Sequence, residues 1–273
     1  MQIDIPKNRI VFIDLMRAYA ILMMVQGHLV DSCLAPIYRD PNSTLYNIWN
    51  FMRGMTAPVF FFSSGMIFTY LLMKEEEKTG RGFKNSRVQK GLKRVGSLIA
   101  IGYLLHFNFW LFWDLLDGKL DKSYQSMFTV DVLHIIGIAL LIIVLLYLVA
   151  ITLRTKLYLL LLIGALATFL FYPNIEPANF SLLPPFLSNY FAQGKNFSFT
   201  IIPWVGYSLF GGILGIFVWT RPKSIHSYLL ASIFLISGIL LDFYSTNMLM
   251  DMYYLTGWIN FKALAYNNFL FYR

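Results

Sequence analysis

Ile10-Val-Phe-Ile-Asp14-Leu-Met-Arg17-Ala-Tyr-Ala-Ile-Leu-Met-Met-Val-Gln-Gly-His28-Leu-Val30 is an apolar run of membrane-crossing length with ionisable side chains set inside it. About 20 apolar residues rising 1.5 Å each cover the ~30 Å of bilayer hydrocarbon, so the run reads as a transmembrane helix. Arg17 and His28 stand eleven positions apart, which is three helical turns and puts both on one face. A charged side chain in hydrocarbon costs roughly 3 kcal/mol on insertion scales, which makes such groups functional candidates. The structural alternative is that Arg17 snorkels and His28 hydrogen-bonds a neighbouring helix. Asp14, one turn before Arg17, is a candidate partner for it.

The rest of the 273-residue chain has the same character, with 58% hydrophobic and 13% charged residues and a mean hydropathy of +0.60. That balance belongs to an integral membrane protein, and the length of the apolar runs, without an alternating pattern of about 10 residues, selects helices over a barrel. The fold class expected is all-α, a polytopic helical membrane bundle of about seven transmembrane helices. The spans are placed near residues 10–30, 46–73, 95–116, 131–153, 157–172, 200–219 and 228–243. Pro58 predicts a tilt or kink in the second, and the fifth is short. Residues 1–243 form the helical domain. Residues 244–273 are an outer-side tail that lies along the interface or leads into further spans.

The formal net charge of +8 sits in the connections rather than on a nucleic-acid-binding face, so it is read as a topology signal and nucleic acid is excluded as a partner. Residues 74–94 carry Lys74, Lys78, Arg81, Lys84, Arg87, Lys90, Lys93 and Arg94 against three glutamates. By the positive-inside rule that connection is cytoplasmic, together with Lys7, Arg9, Arg154, Lys156, Arg221 and Lys223. Arg39, Lys119, Lys122, Lys195, Lys262 and Arg273 fall on the other side, so the amino terminus is cytoplasmic. The long outer connection 173–199 is a candidate cover for the mouth of a site. Cys33 is the single cysteine, which leaves no internal disulfide, and the four histidines form no metal-ligand spacing. No metal is expected.

The stretch from Arg9 to Arg17, with Ala20-Ile-Leu-Met-Met and His28 after it, resembles the first helix of the transmembrane acyltransferases. Pro58-Val-Phe-Phe-Phe-Ser-Ser-Gly65, Asp131-Val-Leu-His-Ile-Ile-Gly137 and Ile202-Pro-Trp-Val-Gly-Tyr-Ser-Leu-Phe-Gly-Gly212 are similar to later signatures of that superfamily, in the same order. The nearest likeness is to bacterial proteins related to heparan-alpha-glucosaminide N-acetyltransferase, over residues 9–219, with a more distant one to the acyltransferase-3 O-acetylases. Ala18 departs from the pattern, which usually has glycine after the arginine.

The resemblance implies that an acyl group, usually acetyl, passes from cytosolic acyl-CoA to a carbohydrate on the far side, with His28 central to transfer. An imidazole titrates near neutrality and can act as general base or carry the acyl group, two routes that stay open. Acyl-CoA enters as co-substrate, with no tightly bound cofactor. Its phosphates need cations near the cytoplasmic surface; the candidates are Arg17, Arg87, Lys90, Lys93 and Arg94, the last four resembling the family's cytoplasmic basic motif. Asp14, His106, Asp131 and His134 are candidates for holding the acceptor or supporting the site. The partners expected are the lipid bilayer and the carbohydrate acceptor, with a homo-oligomer left open, and the location is a bacterial cytoplasmic membrane. The competing reading is a transporter or flippase using the same groups as a proton or anion relay, with helix breaks at Pro58 and Gly211-Gly212. A structural scaffold is a third.

Overall fold

The first apolar run is helix α1 (Val11–Cys33) in the computed structural model, which describes residues 11–118, 127–192 and 199–267. Lys7, Arg9, Lys119, Lys122, Lys195 and Arg273, and the side chains of Asp114 and His226, lie outside the described residues. The described residues contain no strand.

The long second run is two helices, α2 (Thr44–Gly54) and α3 (Thr56–Thr79), with the break at Met55 rather than at Pro58. Ser43 caps α2 by accepting from the Tyr46 amide. Pro58 falls in the first turn of α3, where a missing amide proton removes no intrahelical bond.

Hydropathy misplaces the third span. Helix α4 (Ser86–Leu105) begins nine residues earlier than expected, because Asn85 fixes its start. Its fully buried side chain accepts from the Arg87 amide at 2.9 Å and donates to the Leu72 carbonyl of α3 at 3.0 Å. The helix stops at His106, and Asn108 accepts from the Trp110 amide to start α5 (Phe109–Leu116). Helices α6 (Val132–Thr152), α7 (Leu157–Leu170) and α10 (Ile201–Thr220) follow the expected spans closely. Two short helices, α8 (Tyr172–Ile175) and α9 (Pro185–Ser188), lie in the connection between α7 and α10. Helix α11 (Tyr228–Thr256) passes unbroken through residue 243, and α12 (Ile259–Tyr266) follows it.

Among the described residues five helical stretches are long and apolar enough to cross a membrane: Val11–Cys33, Thr44–Thr79, Val132–Thr152, Ile201–Thr220 and Tyr228–Thr256. The two that separate this number from the expected seven are informative. Helix α7 has 14 residues, about 21 Å at 1.5 Å each, shorter than the hydrocarbon. Helix α4 carries Arg87, Lys90, Lys93 and Arg94 in its first half.

Helix α10 is the centre of the bundle and packs on α3, α6 and α7. Its contact with α3 is backbone against backbone. A Cβ on Gly65 would fall 1.9 Å from the Ser208 carbonyl oxygen, and one on Gly211 1.9 Å from that of Phe62, so only glycine permits this approach. Ser208 adds a hydrogen bond from its hydroxyl to the Phe61 carbonyl at 3.0 Å. Gly211 and Gly212 are therefore packing residues inside continuous helix, and the helix breaks required by the transport reading are not found there; the non-helical residue of α10 is Ile202. Helices at the edge are far less embedded. Helix α1 presents Ile13, Ala20, Met23 and Gly27 to α3 and leaves its other sides open, while α11 is almost wholly exposed. Exposed Leu, Ile and Phe on such helices fit a lipid-facing surface.

Candidate functional site

Two polar groupings and one isolated histidine lie at different levels of this bundle. At the end where α4 begins, the guanidinium of Arg17 on α1 lies within electrostatic reach of Arg94 on α4, and Arg94 in turn of Arg87. Each repels the next. Glu75 is the carboxylate acting on Arg87, and Arg17 and Arg94 form no ion pair among the described residues. The Nε of Arg87 is buried without a hydrogen-bond partner, although its guanidinium sits over the Phe68 ring at 6.0 Å. Three cations held together with one acid nearby raise the free energy of the empty protein and lower it when a polyanion binds. Lys90 and Lys93 are exposed on α4, Lys90 on the same helix face as Arg87 and Arg94 by its i+3 and i+4 spacing. Asp14 is half-buried one turn before Arg17.

Three turns along α1, His28 is exposed and makes no hydrogen bond or ion pair among the described residues. The turn around it is fixed by contacts between α1 and α2. Arg53 of α2 pairs with Asp31, one turn beyond His28, and lies over the Trp49 ring at 5.6 Å. Gly27 is in contact range of the same arginine, a Cβ there meeting its Nε at 3.2 Å. Tyr19 donates to the Met52 carbonyl at 3.3 Å. This strap ties α2 across α1 beside the imidazole.

The second polar grouping joins the end of α4 to the start of α6. Asp131 caps α6, its Oδ1 accepting from the Leu133 amide at 2.9 Å and the His134 amide at 3.2 Å. The Nδ1 of His134 lies 2.7 Å from the same oxygen, closer than its 3.2 Å to the Asp131 amide. That difference favours the tautomer with the proton on Nδ1, leaving Nε2 as a bare acceptor. Nε2 is buried with no partner. The ring lies against α4 because residue 102 is glycine; a Cβ there would be 2.4 Å from the His134 Cε1. Tyr103 meets the ring edge-on at 4.3 Å, Tyr190 at 6.1 Å, and the two tyrosine hydroxyls are 3.3 Å apart.

His106, partly exposed, donates from Nδ1 to the Gly102 carbonyl at 3.0 Å, and the same Nδ1 stands 3.9 Å from Asp131 Oδ2. Asp131 thus lies between a buried and a partly exposed imidazole. Burial opposes its ionisation, but hydrogen bonds from the His134 side chain and amide, and the nearby imidazoles, outweigh this and hold the carboxyl below its ordinary value. Burial and the Tyr103 hydroxyl push the Tyr190 phenol up.

The arrangement brings together Arg17 with Arg94 and Arg87, and Asp131 with His134 and His106. Sequence reading missed Gly102, Tyr103 and Tyr190, which no local motif marks, and the Asp31-Arg53 pair. Among the described residues no three His, Cys, Asp or Glu side chains converge as a metal site.

The described residues make a helical membrane protein with an arginine row on α1 and α4 and a separate Asp131, His134 and His106 group on α4 and α6. Residues 9–244 match the heparan-alpha-glucosaminide N-acetyltransferase catalytic family, and the chain belongs to that family. It is accordingly a membrane acetyltransferase of the carbohydrate-modifying kind. No curated protein and no solved structure matches the chain.

Proposed function

We propose that the protein moves an acetyl group from acetyl-CoA in the cytosol to a carbohydrate across a bacterial cytoplasmic membrane, with its amino terminus inside and α4 and α7 completing seven spans. The observation that carries this reading is the row Arg17, Arg94 and Arg87. A triply cationic site with one acid nearby suits the clustered phosphates of coenzyme A, and Lys90 and Lys93 add long-range attraction at its edge.

Eleven residues at 1.5 Å separate Arg17 from His28 by about 16 Å along α1, a reach that an extended pantetheine arm covers. The thioester carbonyl then lies at the level of the imidazole. Acting as general base, His28 takes the proton of the sugar amine or hydroxyl as it attacks the carbonyl carbon, and the tetrahedral adduct expels the CoA thiolate. Acting as nucleophile, it bonds the acetyl carbon first, releases the thiolate, and passes the acetyl group to the acceptor. Both routes give acetylated sugar and free CoA. Asp131, His106 and His134 support the acceptor side.

The test is transfer from radiolabelled acetyl-CoA by the purified chain. His28→Ala is expected to abolish label transfer with an unchanged unfolding midpoint, since His28 packs against nothing. Full transfer by His28→Ala overturns its role, and failure of the wild type to bind or consume acetyl-CoA overturns the donor assignment.

A further inference from the structure

A cavity of about 660 Å³ opens between the last turns of α3 and α6, the first turn of α7 and the end of α10. Its volume is within the range of small-molecule sites, about 300 to 1,000 Å³. It shares no lining residue with the Arg17, Arg87 and Arg94 row. The floor is apolar, from Met73, Ile151 and Ile216, and the rim is cationic, from Arg81, Arg154 and Lys156 with the single acid Glu76. Glu76 is already engaged by Arg81 at 2.7 Å. Arg154 has no ion pair among the described residues, and Lys156 has only the Tyr158 ring, at 6.0 Å. Lys156 also precedes α7, a helix with no side-chain cap at its start, and its first-turn residues Leu157 and Tyr158 line the same cavity, where the helix start carries partial positive charge.

Arg154 is held there at a conformational cost. Among the described residues it is the non-glycine residue with positive φ, +52°, at the end of α6. The Thr155 amide bonds the Ala150 carbonyl at 2.9 Å and the Arg154 amide that of Ile151 at 3.2 Å, the pair of bonds that ends a helix in a left-handed residue. Glycine is favoured at that place, so packing does not call for the arginine.

We propose that this cavity binds the phosphate of an anionic amphiphile, its headgroup held by Arg154, Lys156 and the α7 amides and its apolar part lying on the floor. Guanidinium and ammonium groups with free amides suit phosphate oxygens, and an apolar floor suits a molecule that is not wholly polar. That chemistry is shared by an anionic phospholipid and by a soluble phosphorylated acyl carrier.

The full chain is reconstituted in phosphatidylcholine nanodiscs with increasing phosphatidylglycerol, and retained lipid is counted by native mass spectrometry. In a second arm, coenzyme A is added to discs of phosphatidylcholine alone and the unfolding midpoint is followed. The variant is Arg154→Gly with Lys156→Gln; glycine keeps the left-handed turn, so its midpoint without ligand is not lowered. Retention of phosphatidylglycerol is expected to fall about thirtyfold for the two lost charges, and to persist in Arg94→Gln. A coenzyme A response lost in the double variant but kept in Arg94→Gln supports the same site with the soluble source. Equal lipid retention and equal coenzyme A response in wild type and double variant overturn the proposal.

Discussion

Arg94 contributes charge to a place already crowded with it, and function and stability therefore pull apart at this residue. Arg94→Gln removes a guanidinium repelled by Arg17 and Arg87, so the midpoint of thermal unfolding is expected not to fall. The KM for acetyl-CoA is expected to rise about tenfold, the equivalent of one charge-assisted hydrogen bond of roughly 1.5 kcal/mol. Steady-state kinetics beside calorimetry reads both. Asp131 gives the opposite coupling. Its carboxyl is held below its ordinary value in the folded chain, so its contribution is present above the usual carboxylate range near pH 4 and is lost as pH falls through the folded value. Asn also caps helices well. Asp131→Asn should thus keep α6 intact while flattening the acid limb of stability followed by circular dichroism, whereas Asp131→Ala should cost about 1 kcal/mol at neutral pH. Asp131 and His134 were candidates in sequence because Asp131-Val-Leu-His-Ile-Ile-Gly137 resembles a signature of the transmembrane acyltransferases. Their neighbours Tyr103 and Tyr190 were not, because they arrive from other segments and only packing brings them to the ring.

At the level of elements, the α3 and α10 pair is the joint on which the bundle turns. Gly211→Ala is expected to destabilise by about 3 kcal/mol, since its Cβ would strike the Phe62 carbonyl and backbone does not yield as a side chain does. Gly96 on α4 supplies the contrast. A Cβ there meets nothing within 4 Å, so Gly96→Ala should stabilise by up to about 1 kcal/mol through helix propensity. Unfolding in detergent of the two variants side by side checks the sign of each. Long uniform runs such as α6 were readable from hydropathy alone, because length and apolarity decide a membrane helix. The start of α4 was not, since its first turns are basic and are fixed by one buried asparagine bonded to another helix. Nor was the stop at His106, where Asn108 opens a new helix in a stretch that stays apolar.

For the whole molecule, orientation is the property that gives the two levels their meaning. The single cysteine supplies a natural probe: Cys33 is exposed at the end of α1, at the level of the Arg53 strap. With the amino terminus in the cytosol, a membrane-impermeant maleimide should label Cys33 on intact cells. Lys84→Cys in a Cys33→Ser background should label only after permeabilisation, and the reverse pattern would invert the arrangement. The positive-inside argument supplies the orientation as an expectation, which this labelling tests. It also hid Arg154 and Lys156, which count as topology charges in sequence and show a shared rim only once α6 and α7 fold side by side. One consequence follows from how α1 is held. The helix that bears both Arg17 and His28 touches its neighbours along one edge, chiefly α3, and local opening is cheapest where contacts are fewest. A polyanion bridging Arg17 and Arg94 would fasten that loose rod to α4, so under the proposed function the donor would itself be the clamp that steadies His28.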